Sequence, residues 1–303
     1  MKNTSKYQGI FPAFYACYGD DGSVSPERVR VFTEYLIGKG VTGLYVGGSS
    51  GECIYHSVAE RKLVLENVMA VAKGRIVIIA HVACNNTSDS MELAAHAEQC
   101  GVDAIAAIPP IYFKLPPHAI EKYWNDISSA APHTDFIIYN IPQLAGVALT
   151  PPLLRSMLKN PRVIGVKNSS MPVQDIEMWR DEGAIVFNGP DEQLLSGLCA
   201  GAIGGIGGTY AVMPELYLTI YRLFQEGEIA RARVIQDECC HVIYKLCSGK
   251  GNMYAMIKET LRLMGAPDIG GVREPLYNLT PEDGEICAAC ADRIAMLTAK
   301  YAK

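Results

Sequence analysis

The chain alternates without interruption between short apolar runs and amphipathic stretches of helical length, and this alternation constrains its fold more than any other feature. After a first apolar segment at 9–15, strand-like runs recur at 43–46, 76–81, 104–108, 136–140, 163–167, 185–188 and 202–206. Helical patterns fall between and after them at 26–39, 57–73, 88–100, 117–131, 151–159, 173–182, 191–200 and 213–226. Strand-helix repetition implies a parallel sheet, because parallel neighbours need crossover connections. Eight units fit a closed barrel better than an open Rossmann sheet, whose glycine fingerprint should follow the first strand and does not. The expected fold is therefore α/β, a (β/α)8 TIM barrel over 1–228. The remaining 229–303 carry only helical patterns, at 229–246, 254–264 and 281–301, and are expected to form a C-terminal helical appendage packed on the barrel.

Composition narrows the classes of function. Hydrophobic residues make up 49% and charged residues 19%, which suits a globular core rather than a disordered chain. A net charge of -5 with no basic stripe gives no electrostatic case for nucleic acid. The N-terminal MKNTSKYQGIFPAF lacks an apolar run with a cleavage site, and no stretch is long and apolar enough for a bilayer, so a cytoplasmic protein without membrane contact is expected. The 10 cysteines are irregularly spaced and read as reduced core thiols. Cys287 and Cys290 form a lone CxxC inside a helical pattern, which favours packing over zinc or redox chemistry. The histidines show no ligand spacing; His81, at a strand end, is the one expected near an active site. No metal site is expected.

In such barrels the chemistry sits where strands end. The run Val163-Ile164-Gly165-Val166 ends on Lys167. A lysine in a barrel mouth loses solvation of its charged form, which lowers its pKa and frees the amine as a nucleophile for a Schiff base. Tyr139 closes the preceding strand, where its phenol reaches the same mouth and can exchange protons with bound substrate. The second strand leads into Gly-Gly-Ser-Ser-Gly-Glu at 47–52, whose amides and hydroxyls, Ser49 and Ser50 among them, suit a carboxylate. The glycine-rich 201–210 fits neither phosphate-loop pattern. No Lys or Arg occurs from Asp181 through Tyr221, which disfavours a phosphorylated substrate. Asp191 and Glu192 stand there instead; they are either acceptors for the hydroxyls of a polyol or acidic residues favoured at a helix N-terminus.

Taken together, GLYVGGSSGE at 43–52, IIYNIP at 137–142, VIGVKNS at 163–169 and NGPDE at 188–192 resemble the pyruvate-dependent class I aldolases of the dihydrodipicolinate synthase and N-acetylneuraminate lyase superfamily. The resemblance runs in order and spacing from about residue 8 into the C-terminal helices. It implies a 2-keto acid substrate held as a Schiff base on Lys167, with no cofactor and no metal. It also implies Tyr139 as proton carrier, and Ser49 and Ser50 on the pyruvyl carboxylate. Tyr112, in PPIYFKL, matches a family tyrosine that completes a hydroxyl relay across a subunit contact, and the family's usual assembly makes a homotetramer the expectation.

Within the superfamily, the synthases carry an arginine after YNIP, where this chain reads YNIPQLAGV with Leu144 in its place; an apolar side chain cannot replace a bidentate cation. The lyase-like form implies that Ser169, Gly189, Asp191, Glu192 and position 208 bind the hydroxyl tail of a sugar acid. Two positions depart from the lyase pattern: Gly208 stands where a serine is usual, and Ser169 where a threonine is. The expected reaction is reversible cleavage of N-acetylneuraminate to N-acetylmannosamine and pyruvate. Two other readings stay open at this level: another pyruvate aldolase or synthase on the same barrel, and a non-catalytic keto-acid sensor.

Overall fold

The computed structural model describes residues 4–302. Eight strands form one sheet: β1 (Gly9–Pro12), β2 (Gly43–Val46), β3 (Val77–His81), β4 (Ala104–Ala107), β5 (Asp135–Asn140), β6 (Val163–Asn168), β7 (Ile185–Asn188) and β8 (Gly204–Gly207). All ladders are parallel, in the order β1-β8-β7-β6-β5-β4-β3-β2. The ring closes between β1 and β2 through a parallel bridge from Ala13 to Tyr45 and a bond from the Thr42 amide to the Ile10 carbonyl. The expected TIM barrel is thus present.

Around it lie α1 (Pro26–Gly38), α2 (Val58–Ala72), α3 (Thr87–Cys100), α4 (Pro117–Ala130), α5 (Pro142–Ala145), α6 (Pro151–Met157), α7 (Gln174–Asp181), α8 (Leu194–Cys199) and α9 (Pro214–Gln225). Local chemistry explains where several begin. Ser25 and Asn86 cap α1 and α3 through their side chains, and Ser57 with Glu60 makes a reciprocal capping box on α2. Proline at the first turn starts α4, α6 and α9, where its missing amide is not needed. The C-terminal segment adds α10 (Ile229–Cys247), α11 (Met253–Leu263) and α12 (Asp283–Tyr301). Their buried faces, including Ile235, Cys239, Met256 and Ile294, join the same apolar cluster that lies between strands and outer helices. Cys287 and Cys290 are buried in that packing.

Alternation along the strands separates two cores. Leu44, Ile78, Ile138 and Val186 face the helices, whereas Tyr45, Ile79, Ile137 and Phe187 fill the barrel interior, with Ala104 and Ala106 leaving room for the rings opposite. β6 departs from this rule. Its register with β5 steps by one residue, Phe136 facing Val163 while Ile137 faces Gly165. Consequently Ile164 joins the interior cluster and Val166 the outer one, so that Lys167 points inward. Such a bulge re-aims a side chain.

Several element ends shift by a few residues from the sequence pattern, β1 stopping at Pro12 and β8 spanning Gly204–Gly207, and two differences are larger. The helix expected over 191–200 is split into a 3-10 turn at Asp191–Gln193 followed by α8. The Asp191 carboxylate accepts from the Thr209 amide and hydroxyl, both at 2.6 Å, instead of capping its own helix. The turn at Pro142–Ala145 was not visible as a separate helix, being a single turn started by proline.

Candidate active site

The carboxyl ends of the strands surround a cavity of about 450 Å3. Lys167, Tyr139, Ser49, Ser50, Ser169, Gly189, Asp191, Glu192 and Gly208 all line it, so nine positions from five separate stretches of the sequence converge. Tyr112 does not: it lies outside the cleft, 89% exposed, with its backbone in the left-handed region and its ring edge-on to Phe113. His81 sits beside the cleft rather than in it. It is buried, its Nδ1 lies 2.9 Å from the Gly47 carbonyl, and its ring is 6.0 Å from that of Tyr139.

Lys167 and Tyr139 are register partners on adjacent strands, which brings them to the same height in the mouth. Lys167 is 5% exposed, and burial brings its pKa down to about 7, with the Asp191 carboxylate and the Cys53 thiol acting in the opposite direction. Half of such amines are neutral near pH 7, against almost none for a solvated lysine. Burial pushes the Tyr139 phenol up to about 12, while hydrogen bonding by the Ser169 and Ser49 hydroxyls works against that shift. The phenol is therefore protonated at rest, with two hydroxyls placed to pass its proton on. Asp191 is raised to about 6, chiefly by burial, and its two bonds from Thr209 favour the ionised form.

Polar groups behind the strand ends fix the frame. The Asn168 side chain, facing away from the cleft, accepts from Asn140 Nδ2 and Trp179 Nε1 at 2.9 Å each and donates to Ser170, whose hydroxyl donates to Asp175. Ser169 is thereby held between two anchored residues. Gly189 packs directly against it: a Cβ built there would lie 2.0 Å from Ser169 Oγ and 2.7 Å from the Asn168 carbonyl oxygen, so this close approach requires glycine. Gly208 differs. Its φ of -68° suits any residue, and a Cβ would meet only Ser50 Oγ at 3.5 Å and Asp191 Oδ2 at 3.8 Å. The Tyr15 hydroxyl donates to its carbonyl.

The Ser49–Ser50 turn ends on Glu52, a non-glycine residue at φ +51°. Its carboxylate accepts from Lys258 Nζ at 3.0 Å, Tyr18 Oη at 2.9 Å and the Arg273 amide at 2.9 Å. Three donors from distant segments hold that backbone in place, tying the turn to α11. The same helix contributes Met253, Tyr254 and Ile257 to the cleft wall, and Ser50 hydrogen-bonds to the Tyr254 phenol. Sequence reasoning did not identify these three, nor Thr209.

Many known proteins are similar to this chain in sequence and in fold. The sequence profile of the dihydrodipicolinate synthetase family matches residues 6–292. The chain belongs to this family. An N-acetylneuraminate lyase of Mediterraneibacter gnavus is 60% identical, the alignment covering 99% of this chain and 96% of that protein. One from Salmonella agona is 36% identical over 89% of this chain and 91% of the relative. Among solved structures, a catalytic lysine mutant of a sialic acid aldolase from Ruminococcus gnavus superposes with a TM-score of 0.98 at 59% identity, covering 99% of this chain and all (100%) of that one. Membership of the family, the barrel and a full-length relation to its lyase members are accordingly established for this chain.

Proposed function

We propose that the protein is a Schiff-base-dependent carbon-carbon lyase that cleaves N-acetylneuraminate reversibly to N-acetylmannosamine and pyruvate. The observation that carries this reading is the Lys167 amine, partly neutral in a buried mouth, beside a Tyr139 phenol connected to Ser49 and Ser169. The amine adds to the C2 ketone of the open-chain acid, and the carbinolamine loses water to give an iminium ion. Tyr139 relays the proton from the C4 hydroxyl as the C3–C4 bond breaks, and the bonding pair moves into the iminium to leave a neutral enamine. The aldehyde sugar departs. Protonation at C3 and hydrolysis then return pyruvate and the free amine. The iminium supplies the electron sink, so the scheme has no step for a metal or cofactor.

Ser49 and Ser50 would hold the pyruvyl carboxylate. Gly189, Asp191, Glu192, Ser169 and the Gly208 backbone would meet the sugar's hydroxyls, and the absence of basic side chains from this wall favours a polyol over a phosphate ester. Leu144, at the rim, leaves a second substrate carboxylate without a cationic partner, which speaks against the synthase reaction. Gly208 supports a second reading, a lyase for a related 2-keto sugar acid, since it forgoes one hydroxyl contact. Tyr112 would enter the relay of a neighbouring subunit in a homotetramer, working in the cytoplasm; no helix among the described residues is long and apolar enough to cross a membrane.

A lyase assay over a panel of 2-keto sugar acids, with Lys167→Ala as blank, tests the proposal. Borohydride with pyruvate should leave a covalent adduct on Lys167 detectable by mass spectrometry. Turnover confined to condensation of pyruvate with aspartate semialdehyde would overturn the lyase assignment, and absence of any adduct would favour a sensor.

A further inference from the structure

Lys167 enters the cleft between two aromatic rings. Its Nζ stands 4.0 Å from the ring centroid of Tyr139 and 4.1 Å from that of Tyr45. The rings meet edge to face, 5.8 Å apart at 79°, and make two walls of a corner that holds the nitrogen. Tyr139 already has a part in proton transfer. Tyr45 has none. It is fully buried on β2, and its phenol oxygen finds no hydrogen-bond partner among the described residues. An unpaired buried hydroxyl is unfavourable, so what the position uses is the ring. A ring face attracts a cation through its quadrupole, most strongly where water is excluded.

We infer that the Tyr45 ring is a catalytic group that stabilises positive charge on the Lys167 nitrogen, acting on the iminium formed there. The inference rests on the Schiff-base reading. When the carbinolamine gives up water, a neutral centre becomes a cation in a place where burial opposes charge; the Tyr45 face lowers the energy of that product. Cleavage then neutralises the nitrogen as the enamine forms. Other groups face it as well: the Cys53 thiol after β2, His81 on β3, Tyr139 on β5 and the Asp191 carboxylate after β7. His81 is held neutral by burial and by Arg61, so Asp191 supplies the opposing charge and the two rings supply the near wall.

The test uses the intact protein with pyruvate as probe. Tyr45→Leu should raise the pyruvate concentration for half-maximal borohydride trapping by about tenfold, and lower the pH at which free Lys167 titrates by about one unit. Tyr45→Phe, which keeps the ring and drops the unpaired hydroxyl, should bring both back to within about threefold of the wild type. Phenylalanines of rising fluorine content at position 45 preserve shape while weakening the quadrupole, so they decide the matter even if the leucine variant does not fold. A stepwise loss of trapping with fluorination is expected. A flat fluorine series, or a folded Tyr45→Leu that traps pyruvate as the wild type does, reduces the ring to packing and overturns the inference. Wild-type protein that traps no pyruvate overturns the Schiff-base reading itself, and this inference with it.

Discussion

Ile164 and Lys167 both face the barrel interior although they lie three positions apart in one strand. Strict alternation would send one of them outward. The register step opposite Phe136 and Ile137 removes the conflict, and Gly165 sits within that step with no room for a side chain: a Cβ there would lie 2.3 Å from the Ile185 carbonyl oxygen. Gly165→Ala must therefore push β6 away from β7. A loss of about 1–3 kcal/mol in urea unfolding is expected, together with weaker trapping of pyruvate on Lys167 under conditions where the variant stays folded. Wild-type stability and trapping would show that the step does not aim the lysine.

The bulge also marks where reading the sequence reached its limit. The strands and most helices announce themselves through apolar periodicity, and Lys167 and Tyr139 do so because a polar residue at the end of an apolar run is conspicuous once the barrel is assumed. Nothing in Val-Ile-Gly-Val signals an extra residue. Tyr45 is an aromatic in an apolar strand, and core packing needs such residues everywhere. Tyr254 lies on a helix well beyond the barrel; periodicity gives the buried face of α11, but only tertiary packing tells which cleft that face covers. The split at 191–200 is of the same kind, since Asp191 bonds Thr209, 18 residues on, rather than its own helix.

Glu52 and Lys258 form an ion pair that is almost wholly shielded from water, with side-chain exposures of 0% and 2%. Removing one partner strands a charge, so Lys258→Met should cost about 3–5 kcal/mol in denaturant unfolding. Adding Glu52→Gln to that variant should recover part of the loss, which a double-mutant cycle will report as coupling. Because Ser49 and Ser50 lie in the turn that ends on Glu52, KM for the keto acid should rise more than kcat falls. Additive losses would argue that the pair does not act as a unit.

The pH profile follows from Lys167. The neutral amine is the attacking form, so kcat/KM should rise with pH about a midpoint near 7, the value to which burial brings this lysine. Asp191 works against burial there, and Asp191→Asn should move the midpoint lower. Stability runs with the same sign. The folded pKa lies below the ordinary 10.5, so the unfolded chain binds more protons between about 7 and 10.5 and stability rises with pH across that window. Below it the penalty is complete. Lys167→Met should consequently gain more stability over the wild type at pH 6 than at pH 10, by thermal melting; an equal difference at both would mean that the lysine is not desolvated.

Gly208 offers the sharpest question about substrate. Its backbone is right-handed helical and the space around a built Cβ is ordinary van der Waals distance, so Gly208→Ser should fold with stability within about 0.5 kcal/mol of the parent. The new hydroxyl would stand between Ser50 and Asp191, where a sugar hydroxyl of N-acetylneuraminate is proposed to bind. One added hydrogen bond of about 1 kcal/mol corresponds to about a fivefold fall in KM. Since the contact lies away from Lys167 and forms equally in the ground and transition states, kcat should hold steady. If instead the serine raises KM for N-acetylneuraminate while improving another sugar acid, the glycine is a selective feature of the native cleft rather than a missing contact. Measuring both constants for the parent and the variant across the same panel of acids separates the two.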